Sequence, residues 1–180
     1  MLLPIKAFGD AKHRLSPVLD GPQRAALARE LASRVVRAAR DLPVVVVCDD
    51  DDVVAWAETV GASVLWCPGV GLNGAVTAGL DALRADYDEV IVAHADLPRA
   101  RDLTVVQGFD GITLVPDRHR DGTNVICLPT TCEFHFAYGP GSFDRHREEC
   151  ARHGVPLRVL TDSALGWDID TPADLDGFEP

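Results

Sequence analysis

Three aspartates and two lysines stand out as residues whose type and placing could do chemistry. Asp96 follows the apolar run Val90 to Ala93, and Asp168 and Asp170 alternate as Asp-x-Asp near the carboxyl end. If that segment is extended, both of its side chains point to one face. Carboxylates gathered in one place repel unless a cation offsets them, and Mg²⁺ prefers oxygen ligands that it shares with substrate phosphates. The alternative is that Asp170 caps a turn while Asp168 faces water. The only lysines, Lys6 and Lys12, stand in one early loop together with Arg14. Compact ammonium charges beside a forked guanidinium suit a polyphosphate, although an exposed basic loop has the same composition.

Two further constellations are weaker singly. Gly69-Val70-Gly71-Leu72-Asn73-Gly74-Ala75 precedes a predicted helix, where glycine backbone N–H groups and the helix start favour anions and Asn73 could bond a ribose or base edge. An ordinary glycine-rich turn reads the same way. Arg118, Arg120 and Gly122-Thr123-Asn124, with Tyr138, Gly139, Gly141 and Ser142, form two polar loops fit for a small phosphorylated, carboxylated molecule, or a pair of hairpin turns. A zinc site from Cys127, Cys132 and His135 lacks an evident fourth ligand. The five cysteines, with no Cys-x-x-Cys, read as reduced thiols packed as small apolar groups.

The elements that must hold these groups alternate. A strand at Leu2 to Ile5 is followed by the basic loop and a helix from Pro22 to about Arg40. Val44 to Cys48 is a β-branched run of the kind buried on both faces. A short helix at Val53 to Thr59, a strand at Ser63 to Trp66, a helix near Asn73 to Arg84 and the strand Val90 to Ala93 come next. Strands are also expected at Ile112 to Val115, Val125 to Leu128 and Leu157 to Leu160. A helix is expected to end near His153, and Thr171 with Pro172 can start a last short helix. The pattern predicts an α/β fold, a mostly parallel twisted sheet with helices on both faces, whose ligands sit beyond the strand carboxyl ends.

The chain has 180 residues, 47% of them hydrophobic, so one domain over 1–180 with a sizeable core is expected. No apolar run approaches the roughly 20 residues that span a bilayer, and a cytoplasmic protein is expected. With 17 Lys plus Arg against 28 Asp plus Glu, the formal charge of −11 argues against nucleic acid or an anionic membrane as partner.

Taken in order, Lys6, Ala11-Lys12-x-Arg14-Leu15, Ala95-Asp96-Leu97-Pro98, Asp117-Arg118 with Gly122-Thr123-Asn124, Tyr138-Gly139-x-Gly141-Ser142-Phe143 and Asp168-Ile169-Asp170-Thr171-Pro172-x-Asp174-Leu175 resemble a family. It is that of the phosphoenolpyruvate and 2-phospho-L-lactate guanylyltransferases of coenzyme F-420 biosynthesis, among the nucleotidyltransferases related to molybdenum-cofactor guanylyltransferases. The resemblance covers nearly the whole chain and implies a Rossmann-like nucleotide-diphospho-sugar transferase fold. It also implies transfer of GMP from GTP to the phosphate of a three-carbon acid, with release of pyrophosphate. By the family pattern Asp96, Asp168 and Asp170 would hold Mg²⁺, with Lys12 joining them as the catalytic set. Lys6, Lys12, Arg14, Gly71, Asn73 and Gly74 would meet the nucleotide; Thr123, Gly139 and Ser142 would bind the acceptor phosphate. Arg-rich, Lys-poor composition favours the phosphoenolpyruvate version, with 2-phospho-L-lactate as the other acceptor, and the product could pass to the downstream transferase of the pathway. A sugar-nucleotide glycosyltransferase with an Asp-x-Asp metal site and a nucleotide-binding module without catalysis are the competing readings.

Overall fold

Three short β-branched or aliphatic runs open the chain's alternation of strand and helix; the first two become mostly buried strands and the third a half-exposed strand at the sheet edge. In the computed structural model, which describes residues 1–161 and 164–176, the strands are β1 (Leu2–Pro4), β2 (Val45–Cys48), β3 (Ser63–Trp66), β4 (Glu89–Ala93), β5 (Ile112–Pro116), β6 (Thr123–Pro129) and β7 (Leu157–Val159). The helices are α1 (Gly21–Ala38), α2 (Asp51–Thr59), α3 (Gly71–Leu83) and α4 (Ser142–His153). Expected and observed elements agree to within a few residues. Helix α1 starts where its chemistry says it should: the Asp20 side chain accepts from Gln23 N at 2.8 Å, and Gln23 Oε1 accepts from Asp20 N at 2.9 Å. This reciprocal cap satisfies N–H groups that the first helical turn leaves free.

The seven strands form one sheet in the order β3-β2-β1-β4-β6-β5-β7. Neighbours β3, β2, β1 and β4 are parallel, and β5 pairs parallel with β7. Strand β6 alone runs the other way, antiparallel to both β4 and β5. The cause is the connection: only residues 117–122 separate β5 from β6, too few for a crossover but enough for a hairpin. Alternate residues of each strand feed two cores. Leu3, Val46 and Ile91 face α1 and α2 through Ala32, Val35, Val53 and Trp56. Leu2, Val47 and Val92 face α3 and α4 through Val76, Leu80, Phe143 and Cys150.

The chain moves from β1 outward through β2 to β3, then returns to place β4 on the other side of β1. At such a reversal the carboxyl ends of the two central strands open onto a crevice. Helix α3 is drawn close to the sheet because Gly79 has no side chain; a Cβ there would stand 3.0 Å from both Leu2 Cδ atoms and 3.3 Å from Val47 Cγ2. Among the described residues no helix is long and apolar enough to cross a membrane.

Candidate active site

The loop after β1 is built as two short 3₁₀ turns, Phe8–Asp10 and His13–Leu15, with Lys12 between them in the left-handed region at φ 58°. Left-handed backbone costs a non-glycine residue about 1 kcal/mol or more, so the surroundings must impose it. They do so from both sides: Phe8 is buried with its ring edge-on to Trp56 at 5.5 Å, and Leu15 is fully buried against Leu31 and Ile169. The Lys12 ammonium is thereby carried inward, with its side chain only 9% exposed, while that of Arg14 is 72% exposed.

The ammonium meets groups from two distant parts of the chain. Lys12 Nζ forms a short ion pair with Asp96 Oδ2, donates to Ile169 O at 2.5 Å and lies 3.4 Å from Asp170 Oδ1. Arg14 Nη1 reaches Asp170 Oδ2 at 3.4 Å. Asp96 is presented just beyond β4, where His94 N donates to Asn124 O at 2.9 Å. The 164–176 segment is brought to it by its own bonds: Ile169 N donates to Asp96 O, and Asn124 Nδ2 donates to Leu165 O at 3.0 Å.

Asp174 fixes the turn that carries the Asp-x-Asp pair. One of its oxygens accepts from Asp170 N at 2.9 Å, Thr171 N at 2.6 Å and Thr171 Oγ1 at 3.0 Å, and the other pairs with Arg118. Arg118 also donates to Asp168 O at 3.1 Å, and its guanidinium lies over the Trp167 ring, which Arg99 also covers. The Thr171-Pro172 start of a short helix is as expected; residues 168–170 precede it as irregular backbone rather than a strand.

Burial sets the electrostatics. It opposes charge on Lys12 and Asp96 alike, yet each compensates the other: Lys12 is held above and Asp96 below its ordinary pKa. At Asp168, by contrast, burial together with Asp96 and Asp170 pushes the carboxyl up to about 6. Asp96 Oδ1 is buried and has no hydrogen-bond partner among the described residues. These are all-oxygen donors short of positive charge, the chemistry of a hard divalent cation. Among the described residues no three His, Cys, Asp or Glu side chains converge closely enough to hold a metal by themselves, so substrate oxygens would have to complete the set. That observation removes the zinc reading of Cys127, Cys132 and His135; Cys127 is a strand residue whose thiol burial pushes well up.

A cavity of about 630 Å³ adjoins the loop after β1, lined by Lys6, Lys12, Cys48, Gly71, Leu72 and Asp96, among others. It lies between β1, β2 and the start of α3. Of the residues expected to meet a nucleotide, Lys6, Lys12 and Gly71 line this cavity. Asn73 does not line this cavity: its Oδ1 accepts from Tyr138 N at 2.7 Å and ties α3 to the Tyr138 loop. Gly74 packs under Val70, where a Cβ would be 2.9 Å from Val70 Cβ.

The three residues expected to meet the acceptor form a second group. Thr123 opens β6, and Ser142 starts α4 after Gly139 and Gly141, both at positive φ. Gly141 N donates to Asp121 Oδ1 at 3.1 Å, and Asp117 accepts from His119, Asp121 and Gly122 N, so two aspartates shape both loops. Thr123 Oγ1 lies 3.0 Å from His146 Nδ1, while His146 Nε2 accepts from Ala137 N at 3.0 Å. That acceptor role assigns the imidazole proton to Nδ1. Tyr138 stands between the two groups, its ring 5.1 Å from that of His94 and 5.0 Å from that of His146. Sequence reasoning gave no role to His94 or His146, placed Asp121 only among the polar-loop residues suited to a phosphorylated acid, and marked Thr171 with Pro172, but not Asp174, as the start of the last helix.

A carboxylate and lysine site at the reversal of a largely parallel sheet, beside a nucleotide-sized cavity, is that of a nucleotidyltransferase, and solved structures agree on the fold. The chain superposes on a nucleotidyl transferase from Methanothermobacter thermautotrophicus with a TM-score of 0.67, 15% identity and coverage of 99% of this chain and 97% of that one. A protein from Desulfovibrio desulfuricans G20 assigned to the nucleotide-diphospho-sugar transferases gives 0.75 at 19% identity, covering 97% and 83%. The chain belongs to the guanylyl transferase CofC-like family, whose model matches residues 1–178. It is 38% identical to the phosphoenolpyruvate guanylyltransferase of Sphaerobacter thermophilus, over 97% of this chain and 89% of that one. Identity is 35% to the phosphoenolpyruvate guanylyltransferase of Rubrobacter xylanophilus (99% and 92%) and 30% to the 2-phospho-L-lactate guanylyltransferase of Methanothermobacter thermautotrophicus (97% and 81%).

Proposed function

We propose that this chain transfers GMP from GTP to the phosphate of phosphoenolpyruvate, giving enolpyruvyl-2-diphospho-5'-guanosine and pyrophosphate, in a Mg²⁺-dependent reaction of coenzyme F-420 biosynthesis. The observation that carries it is the meeting of Lys12, Asp96 and Asp170 at the mouth of the β1 and β4 crevice. The printed activities of the two relatives at 38% and 35% identity favour phosphoenolpyruvate, and that of the relative at 30% keeps 2-phospho-L-lactate as the second acceptor.

Two anions must be brought together so that an acceptor phosphate oxygen attacks the α-phosphorus in line with the departing pyrophosphate. No protein nucleophile is needed, since the acceptor phosphate is ionised at neutral pH; the protein's task is positioning and charge compensation. Lys12, with Lys6 and Arg14 nearer solvent, meets the GTP phosphates. Gly71 N lies at the start of α3, where backbone N–H groups favour anions. Asn73 works indirectly by holding Tyr138, and Gly74 allows the turn into α3 to close. Asp96, Asp168 and Asp170 would hold Mg²⁺, which when bound neutralises phosphate charge and stabilises the developing charge on the leaving group. Thr123, Gly139 and Ser142 receive the acceptor phosphate. Both substrates are soluble metabolites, so a cytoplasmic enzyme that passes its diphosphate product to the downstream pathway transferase completes the reading.

The test is pyrophosphate release with GTP and Mg²⁺ and each acid in turn, with the downstream enzyme present to draw off an unstable product. Release that requires either acid supports guanylyl transfer. Silence with both acids sinks the proposal, and binding of a nucleotide sugar without pyrophosphate release would favour a glycosyltransferase instead.

A further inference from the structure

Lys12 is tied to the carboxylates as firmly as it is placed for phosphates. Its ammonium is almost fully withdrawn from solvent and spends its donors on Asp96, the Ile169 carbonyl and, more distantly, Asp170. The backbone around it is held in left-handed geometry between two buried anchors, so this inward placing is built into the loop. Asp96 therefore already has a cation on one oxygen, while its other oxygen is buried without a partner among the described residues.

We infer that Lys12 is the resident cation of this carboxylate site, and that a divalent ion enters only together with a nucleotide whose phosphates take the ammonium over. The inference rests on reading Asp96, Asp168 and Asp170 as the metal site. A dication arriving alone would have to displace the ammonium from Asp96 Oδ2 or bind the other oxygen within a few ångströms of it, a repulsion that low-dielectric surroundings strengthen. Within reach, Asp170 is already shared with Arg14. A triphosphate removes both penalties at once. Lys12 and Asp96 line the same cavity, so the ammonium can pass from carboxylate to phosphate without leaving it. Metal and nucleotide binding are then coupled, each raising the affinity for the other.

The presence of only two lysines makes the test direct. In protein labelled with ¹³C at the lysine ε-methylene, Lys12→Met assigns the two resonances. The Lys12 resonance is expected to stay in place when Mg²⁺ is added alone and to move when GTP and Mg²⁺ are added together. In parallel, Mn²⁺ binding to ligand-free protein, followed by electron paramagnetic resonance, is expected to tighten at least tenfold in Lys12→Met and to return to the weak wild-type value in Lys12→Arg. Movement of the Lys12 resonance with Mg²⁺ alone overturns the inference and leaves the metal-site reading standing. Equal Mn²⁺ affinity in wild type and a folded Lys12→Met, lost in Asp96→Asn, overturns it in the same way. If Lys12→Met does not fold, the wild-type titration decides, with Lys6 and Lys12 distinguished by Lys6→Met. Failure of Mg²⁺ with GTP to move Lys12, with Mn²⁺ binding indifferent to Asp96→Asn, rejects the metal site itself and this inference with it.

Discussion

Burial and its acidic neighbours raise the pKa of Asp168 to about 6. A carboxyl group titrating above its unfolded value of 3.8 binds its proton more tightly when folded. Any stability it contributes is present below about pH 4 and is lost as pH rises through 6. Above that pH the ionised group is a cost, on the order of 1–3 kcal/mol. Asp168→Asn is therefore expected to raise the stability of the ligand-free protein at pH 7.5, with little effect at pH 4, in urea unfolding followed by circular dichroism. The same change is expected to lower guanylyl transfer at least about a hundredfold, the loss typical of removing a group that stabilises developing charge. A less stable Asp168→Asn at pH 7.5 would show that this carboxylate is compensated in some other way. Ser142 is buried at the first position of α4, and on the proposed reading Ser142→Ala removes a hydroxyl that meets the acceptor phosphate. Loss of one charge-assisted hydrogen bond costs roughly 1.5–3 kcal/mol, so KM for the acid should rise about tenfold or more while KM for GTP moves less than about twofold. Equal effects on both substrates would reject the assignment.

Element by element, the site depends on contacts that tie far-apart segments together. His146 on α4 bridges β6 and the Tyr138 loop, with Nδ1 near Thr123 Oγ1 and Nε2 accepting from Ala137 N. Protonation would remove the acceptor that Ala137 N needs, and burial, aided by Arg145, lowers the His146 pKa to about 4. Here the folded value lies below the unfolded 6.5, so the unfolded chain binds the proton first and stability falls as pH drops from 6.5 toward 4. The full difference is about 3 kcal/mol. Wild-type protein should lose part of that between pH 7 and pH 5 in thermal unfolding, and His146→Gln should flatten this slope. An unchanged slope in the variant would assign the pH dependence elsewhere. Strand and helix positions themselves were legible from the sequence because buried parallel strands are continuous β-branched runs and α1 carries its own cap. The reversal of β6 follows from the six-residue connection before it. The partner of Asn73 does not: the side chain looked free for a nucleoside, and a backbone N–H 65 residues away claims it.

For the whole molecule, the charge of −11 argues against broad polyanion surfaces, yet guanylyl transfer brings highly charged phosphates to the site. Location resolves the contrast. Both lysines stand in the loop after β1, and topology alone brings Lys12 to Asp96, 84 residues further on. Sequence spacing marked both residues but held no sign that they pair, because that contact depends on β1 and β4 being neighbours in the sheet. The Asp-x-Asp segment was visible as a motif, whereas its anchoring through Asp174, Arg118 and Asn124 needed the folded chain. The central claim is that these parts join GMP to the phosphate of a three-carbon acid with no covalent protein intermediate. Phosphorus-31 NMR of GTP, Mg²⁺ and phosphoenolpyruvate with the protein follows that bond directly. Pyrophosphate is expected to grow together with an unsymmetrical diphosphate whose two phosphorus signals couple, with no such signals for Asp96→Asn. Pyrophosphate formed with GMP alone, or GMP attached to the protein, would contradict that claim.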